Sequence, residues 1–276
     1  MLDGDTRIIA HVGYPTTTFK SPQIYNPWFE SRGINAAVVP MGVKAADFVR
    51  GFPAICRLSN FAGALVTMPH KATVIDCLDA VSTAVEVCGA CNAVRFDAQG
   101  RLIGDMFDGE GFVRGARRNG AEITAKRALV VGAGGVGSAI AASLAGAGVA
   151  ALGLYDVRAD AMESLATRLA SNYPRLETAI GVKDPEGYDL VVNATPLGMA
   201  AGDPLPLDAS RLSPSTYVGE VVLKAETTAF VAAARARGCR TQVGLDMLFE
   251  QIPSYLEFFG FPLASAEALR AVAKLD

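Results

Sequence analysis

Long hydrophobic runs, blocks of basic charge and histidine are all scarce in this 276-residue chain. No run approaches the ~18 apolar residues that a membrane-spanning helix needs. Charged residues make up 19% of the chain, and the net charge of −3 comes from interspersed acids and bases. Nucleic acid and membrane surfaces are therefore excluded as partners, because both require a basic stripe or segment. We expect a cytoplasmic protein that binds a small molecule, and the sequence leaves a homodimer open.

Cysteine is too sparse for a disulfide framework, because the five cysteines cannot all pair and are spread over a long chain. Cys88-Gly-Ala-Cys91 has the spacing of a redox pair or half of a zinc site. No second pair and no flanking histidine completes a metal site, so we expect reduced, buried thiols and no metal. The 51% hydrophobic content is ample for one large or two moderate domains.

The most informative segment is an apolar strand pattern, 128–131, that runs directly into a glycine-rich turn and then a small-residue helix. The turn contains Gly132, Gly134, Gly135 and Gly137. In a dinucleotide fingerprint the first glycine permits the tight turn, the second lets the backbone approach a pyrophosphate, and the last lets the helix pack closely. The helix N-terminus offers N–H groups to the phosphates. A packing turn without a ligand is the alternative.

Asp156 ends the next apolar run, about 20 residues further on, where a carboxylate binds the adenosine ribose hydroxyls. A 2′-phosphate would have to lie at the same place and would be repelled, so Asp156 favours NAD over NADP. Two alternatives remain. Asp156 could merely end a strand, and Arg158 could turn towards a 2′-phosphate.

Alternating apolar runs and helical patterns predict an α/β protein with two domains. Residues 1–106 contain strand and helix patterns followed by two paired strands around Ala98-Gln-Gly100. Residues 107–244 repeat strand and helix as a Rossmann-type, doubly wound nucleotide domain. Residues 245–276 have the pattern of two amphipathic helices, which we expect to return to the first domain.

Other motifs surround the glycine turn in a fixed order. They are Gly13-Tyr-Pro, Lys20-Ser-Pro22, Val66-Thr-Met-Pro-His-Lys71, Gly89-Ala-Cys-Asn92, Asp105-x-x-Asp108-Gly, Asn193-Ala-Thr-Pro-Leu-Gly198-Met and Gly244-Leu-Asp-Met-Leu-Phe-Glu-Gln251. Together these motifs resemble the shikimate/quinate dehydrogenase family over nearly the whole chain. The resemblance implies a substrate domain, a Rossmann domain and a cleft between them. It also implies hydride transfer between NAD(P) and a ring alcohol or ketone of shikimate, quinate or a related cyclic polyol.

The resemblance assigns catalysis to Lys71 and Asp108. A lysine can accept the hydroxyl proton as hydride departs, and the aspartate would hold that lysine and the reacting hydroxyl. Taken alone, Lys71 would be a solvated surface residue and Asp108 a helix cap. Asn92 and Gln251 match amides that bind the neighbouring ring hydroxyls, with a turn and a solvent-facing helix position as the alternatives.

The resemblance also places Ser21 and Thr67 at the substrate carboxylate, and Asn193 and Thr195 in a loop near the nicotinamide. Ser21 could otherwise be only a helix cap, and Asn193 and Thr195 are ordinary turn formers. His11 and His70 have no partner that suggests a triad or metal site.

Several positions depart from the family pattern. Phe19 replaces a serine that binds the substrate carboxylate in the family, Leu65 replaces an asparagine, and Leu223 replaces a tyrosine that contacts the substrate. Met106-Phe107 replaces an Asn-Thr pair, and Glu220 replaces an aspartate. We expect Phe19, Leu65, Phe107 and Leu223 to line the pocket end away from Lys71, which would make shikimate a poor substrate.

Three other interpretations stay open at this point. One is a noncatalytic nucleotide sensor on the same fold, which the retention of Lys71 and Asp108 disfavours. Another is a dehydrogenase for a different, less polar substrate. A folate-type dehydrogenase would also use a lysine but explains Asn92 and Gln251 less well.

Overall fold

The computed structural model describes residues 2–223 and 227–275, which form two compact units. The first unit comprises Met1–Val85, Ala90–Phe107 and Ile252–Asp276, and the second comprises Glu86–Gly89 and Asp108–Gln251. The first predicted boundary, 106/107, lies one residue from the division at Phe107, and the second, 244/245, lies seven residues from the division at Gln251. This second offset arises because the chain passes between units within helix α8, Gly244–Phe258.

The first unit is built on a six-stranded mixed sheet of order β2-β1-β3-β5-β6-β4. Strand β1 is parallel to β2 and β3, and β5 and β6 form the predicted antiparallel pair. The strands are β1 Arg7–Gly13, β2 Ala36–Gly42, β3 Phe61–Val66, β4 Ala80–Val81, β5 Ala93–Phe96 and β6 Leu102–Asp105. The helices are α1 Ser21–Ser31, α2 Ala45–Cys56 and α9 Ala266–Val272, and α3 Thr83–Cys88 lies at a boundary of the unit.

The core of the first unit follows from its apolar spacing. Ile9 and Val12 of β1 are fully buried, as expected for a central strand that is covered on both faces. Helix α1 buries Tyr25, Trp28 and Phe29, which are three and four residues apart and therefore share one face. This packing fixes β1 and β3, whose carboxyl ends carry several of the predicted site residues.

The second unit is a parallel six-stranded sheet of order β12-β11-β10-β7-β8-β9. The strands are β7 Arg127–Val131, β8 Ala151–Tyr155, β9 Glu177–Ile180, β10 Leu190–Asn193, β11 Tyr217–Glu220 and β12 Arg240–Gln242. The helices are α4 Asp108–Arg118, α5 Gly135–Gly146, α6 Ala159–Asn172 and α7 Ala229–Ala236, with the first part of α8. The chain winds outward from β7 in both directions, which confirms the predicted doubly wound domain and places a ligand crevice between β7 and β10.

Within residues 2–223 and 227–275, no helix is long and apolar enough to cross a membrane. The five cysteines are free thiols, and four of them are buried. No group of three or more metal-ligating side chains is found in the same described ranges.

Candidate active site and coenzyme site

The glycine-rich turn has the geometry of a dinucleotide loop. Gly132 follows β7 with φ of +107°, a conformation that L side chains rarely adopt. A Cβ on Gly137 would collide with the Gly132 backbone, so α5 can pack this closely only through glycine. A Cβ on Gly134, by contrast, would meet no described atom within 4 Å. Because Gly134 is also the N-cap residue of α5, which begins at Gly135, the first N–H groups of the helix can serve a phosphate.

The loop after β10 lies against this turn. A Cβ on Gly132 would stand 2.7 Å from the Ala194 carbonyl and 3.0 Å from the Thr195 nitrogen. Asn193 is fully buried, and its Oδ1 accepts hydrogen bonds from the Thr195 N–H (3.1 Å) and hydroxyl (2.7 Å). The Thr195 Oγ1 in turn accepts from the Leu197 N–H at 3.1 Å. The side chains of Asn193 and Thr195 therefore shape this loop, as the turn-forming alternative requires.

Glu220 is a buried carboxylate beneath the same loop. It accepts hydrogen bonds from the Asn193 amide (3.0 Å), the Val221 and Val222 N–H groups (2.8 and 3.1 Å) and the Thr228 hydroxyl (2.8 Å). Burial raises the pKa of Glu220 above its usual value, and these donors offset part of that effect. Glu220 thus ties the loop after β10 to the end of β11.

Asp156 is held at the opposite side of the glycine turn. Its Oδ2 accepts from the Ala133 N–H at 2.7 Å, and its Oδ1 accepts from the Arg158 N–H at 2.9 Å. Burial alone would raise the pKa of Asp156, but these backbone hydrogen bonds and the Arg158 charge outweigh it and lower the pKa. The side chain is 11% exposed, so a fixed negative charge borders the turn where the adenosine ribose is expected.

In the first unit, backbone hydrogen bonds hold Lys71 and Asn92 beside the segment that leads into Asp108. The Cys91 N–H donates to the Lys71 carbonyl at 2.7 Å. Next to it, the buried Asn92 side chain accepts the Phe107 N–H at 3.0 Å through Oδ1. The Asn92 side chain is therefore part of the unit's own scaffold, and Asp108 is the next residue along the chain after Phe107.

The second unit supplies Asp108 and Gln251. Asp108 is the first residue of α4 and is 3% exposed. A Cβ on the following Gly109 would collide with the Ala139 carbonyl, so α4 starts in close contact with α5 and Asp108 is firmly placed. Gln251 lies on α8 with its Cβ against Gly111, which excludes the solvent-facing alternative. Its Oε1 is buried and accepts no hydrogen bond from any residue that the structure describes.

Of the remaining predicted residues of the first unit, Thr67 directly follows β3 and Ser21 begins α1. Ser21 is the first residue of α1, whose N-cap residue is Lys20, so Ser21 is not the cap. Thr67 donates its N–H to the Val12 carbonyl at 2.9 Å, and its methyl group lies against Gly13. Gly13 also faces the ring of Phe19, with 3.0 Å between a Cβ placed there and Phe19 Cζ. Thr67 and Phe19 therefore lie at the same side of β1.

His11 belongs to this group, although its sequence context predicted no role for it. His11 and Leu65 are register partners on β1 and β3, so their side chains project from the same face of the sheet. The imidazole stacks on Phe19 with a centroid distance of 3.9 Å and an interplanar angle of 21°. A single polar residue within the buried run Ile9–Val12 was the available signal.

The other apolar substitutions lie elsewhere. Phe107 packs edge-on against Tyr255 and Phe258, with centroid distances of 4.9 and 5.6 Å. Leu223 lies in the second unit, after β11, and is half-buried. The structure therefore brings Phe19 and Leu65 to one face, whereas Phe107 joins a separate aromatic cluster. That all four line one pocket stays a prediction.

The second unit has a dinucleotide crevice in a doubly wound sheet. The first unit carries Lys71 after β3 and Asn92 directly before β5. This combination defines a two-domain oxidoreductase class. A family model described as the shikimate dehydrogenase substrate binding domain matches residues 12–94, and one described as the ThiF family matches residues 113–163. The chain is 36% identical to the shikimate dehydrogenase (NADP(+)) of Acidiphilium cryptum, over 99% of this chain and 98% of that protein. The chain belongs to the shikimate dehydrogenase family.

Two solved structures share this fold. The shikimate 5-dehydrogenase of Listeria monocytogenes, in complex with shikimate and NAD, has a TM-score of 0.87 at 26% identity, covering 98% of this chain and 97% of that one. The ligand-free 5-ketofructose reductase of Gluconobacter sp. strain CHM43 has a TM-score of 0.84 at 26% identity, covering 97% and 99%. Proteins that share this fold are therefore named for different substrates.

Proposed function

We propose that this protein is an NAD-linked dehydrogenase that interconverts an alcohol and a ketone on a polyhydroxylated substrate without a carboxylate. The observation that carries the proposal is the backbone network that holds Lys71 and Asn92 beside the segment entering Asp108. Bound NAD would supply the hydride acceptor, and the rest of the chemistry belongs to the side chains. A cytoplasmic location and a homodimer stay predictions from the sequence.

Lys71 and Asp108 are proposed to act as one catalytic unit when substrate is bound. As the alcohol carbon loses hydride, the hydroxyl proton passes to the Lys71 amine, which must be neutral at that moment. Asp108, buried and fixed at the start of α4, would orient the lysine and the reacting hydroxyl. The Oε1 of Gln251, which has no hydrogen-bond partner among the described residues, would accept a hydrogen bond from a neighbouring substrate hydroxyl, and the Asn92 amide would donate one.

The coenzyme would be held by the second unit. Gly132, Gly134, Gly135 and Gly137 would receive the pyrophosphate at the start of α5, while the loop of Asn193 and Thr195 would border the nicotinamide. Asp156 would bind the ribose hydroxyls and disfavour a 2′-phosphate. NAD is therefore the proposed coenzyme, although the Acidiphilium relative is named for NADP(+). The Listeria relative, which was solved with NAD, is compatible with this proposal.

The absence of a carboxylate in the substrate is proposed from Phe19 and Leu65. A lost hydrogen bond to a charged group costs about 1.5 to 3 kcal/mol, and the desolvation of a carboxylate against apolar walls adds to this cost. Ser21, Thr67 and the hydroxyls of Thr16–Thr18 would have to compensate for both. The Gluconobacter relative is named for 5-ketofructose, a molecule without a carboxylate, which supports this substrate class within the same fold.

A direct test measures turnover of shikimate, quinate, neutral cyclic polyols and 5-ketofructose with NAD(H) and NADP(H). The proposal expects coenzyme-linked turnover of a neutral compound that is lost in Lys71→Ala. Coenzyme binding without turnover of any compound would favour the noncatalytic sensor. Efficient turnover of shikimate alone would refute the proposed substrate class.

A further inference from the structure

His11 is a buried imidazole whose hydrogen bonding is incomplete. It lies in the interior of β1 and is 6% exposed. Its Nδ1 is buried and has no hydrogen-bond partner among residues 2–223 and 227–275. The other histidine differs, because the Nε2 of His70 lies 2.7 Å from the Val43 carbonyl oxygen. Buried side-chain nitrogens are usually paired, so the unpaired Nδ1 requires an explanation.

The surroundings of His11 place it among the residues proposed to bind substrate. Its ring stacks on Phe19, and its register partner on β3 is Leu65. Two residues further along the chain from each partner, Gly13 ends β1 and Thr67 follows β3, and the Thr67 methyl group lies against Gly13. Lys71 is close enough for its charge to act on the imidazole. His11 is thus a polar side chain flanked by the apolar side chains of Phe19 and Leu65.

The charge state of His11 restricts what it can bind. Burial, with a smaller contribution from Lys71, lowers the pKa of His11 to about 3. At neutral pH the ring is therefore uncharged, and each ring nitrogen is either one donor or one acceptor. A neutral imidazole does not balance the charge of a carboxylate. A hydroxyl group both donates and accepts, so it can pair with Nδ1 in either tautomer.

We propose that His11 is a specificity-determining residue whose Nδ1 forms a hydrogen bond with a hydroxyl group of an uncharged substrate, beside Phe19 and Leu65. This inference deepens the proposed function and rests on it. Phe19 and Leu65 exclude water and charge from this position, and His11 selects a hydroxyl there. A substrate with a purely apolar group would leave Nδ1 unpaired, which is unfavourable in a buried site.

A matched pair of probes separates charge from shape. One probe is shikimate, and the other is its analogue in which a hydroxymethyl group replaces the carboxylate. The ring and its hydroxyls are the same in both. The change His11→Phe removes the nitrogens and keeps a ring to stack on Phe19. We expect it to raise KM for the hydroxymethyl analogue by about five- to tenfold, the scale of one hydrogen bond, with kcat little changed. His11→Asn, which retains a donor and an acceptor, should restore part of the loss.

Nitrogen-15 NMR of the wild-type protein, labelled at histidine, provides a readout that does not depend on a folded variant. Only His11 and His70 contribute signals. The Nδ1 resonance of His11 should move when the hydroxymethyl analogue is added with NAD, while the His70 resonances stay in place. Turnover of the analogue with an unmoved His11 resonance and an unchanged KM in His11→Phe would overturn the assignment of His11 alone. If neither probe, nor any other neutral polyol or keto sugar, is bound or turned over, the proposed function fails, and this inference fails with it.

Discussion

Replacement of Asp156 should abolish or reverse the preference for NAD over NADP, because this carboxylate is held at a fixed position. Both carboxylate oxygens are held by backbone N–H groups, at 2.7 Å from Ala133 and 2.9 Å from Arg158, so the charge is fixed beside the glycine turn, where the ribose of a bound coenzyme is expected. A 2′-phosphate would remove one hydrogen bond to a charged group, worth about 1.5 to 3 kcal/mol, and add repulsion. The wild-type protein should therefore bind NAD at least about tenfold more tightly than NADP.

Asp156→Ser should weaken NAD by about tenfold or more and strengthen NADP, so that the preference disappears or reverses. The gain for NADP should depend on Arg158, whose guanidinium lies 3.4 Å from Asp156 and is 60% exposed, because loss of the aspartate frees it for the phosphate. The double change Asp156→Ser with Arg158→Ala should therefore bind both coenzymes weakly. Asp160→Asn is a matched control, since it removes an exposed charge at the start of α6.

Isothermal titration of the four proteins with NAD and NADP, without substrate, measures these affinities directly. Tighter binding of NADP than NAD by the wild-type protein would refute the assignment of Asp156. An Asp160→Asn variant that changes preference as much as Asp156→Ser would show that general charge, and not the placed carboxylate, sets the choice.

Three further outcomes are expected. Lys71→Ala should lower kcat by about a hundredfold or more with NAD binding intact, and adding Asp108→Asn should cost much less than the two separate losses combined. Near wild-type turnover in Lys71→Ala would remove it from the mechanism. Phe19→Ser with Leu65→Asn should raise kcat/KM for shikimate by about tenfold or more, and an unchanged value would contradict the assigned roles of both residues. The pKa of His11 is about 3 when folded and 6.5 when unfolded, so the unfolded chain binds more protons between these values and stability falls as pH falls. Urea titrations should show the wild-type protein losing about 1 kcal/mol more than His11→Phe between pH 6.5 and about pH 5.5, and equal losses would contradict the burial of a neutral ring.

Most of the fold was predictable because its strands are buried and its helices are amphipathic. The doubly wound nucleotide domain was predicted from the glycine fingerprint and the alternation of strand and helix, whereas the order of its strands was not. The missed elements gave weaker signals. Strand β9, Glu177–Ile180, is an exposed edge strand with little apolar pattern, and β4 is only two residues long. Neither length nor burial distinguishes such segments from loops.

The candidate site was predictable only where motifs carried it. Lys71 and Gln251 were selected by motif context, since a lysine or a glutamine alone indicates nothing. His11 and Glu220 were not assigned, because partner geometry defines their roles. The signal for His11 was one polar residue within a buried strand, which does not reveal that Nδ1 has no partner among the described residues. A carboxylate that accepts from two backbone N–H groups has no sequence signature. Phe107 was predicted to line the pocket from its apolar character, but that character does not reveal which residues it packs against. In the structure it packs against Tyr255.

Steady-state oxidation of shikimate and its hydroxymethyl analogue with NAD by the wild-type protein tests the substrate site most directly. Two lost hydrogen bonds to a carboxylate, at about 1.5 to 3 kcal/mol each, weaken binding by roughly a hundred- to ten-thousandfold. We predict that KM for shikimate lies at or above the upper end of the usual range of about 1 μM to 1 mM, and that the analogue has the higher kcat/KM. A low micromolar KM for shikimate, with the analogue turned over more poorly, would contradict the account and leave Ser21, Thr67 and the Thr16–Thr18 run as sufficient carboxylate ligands.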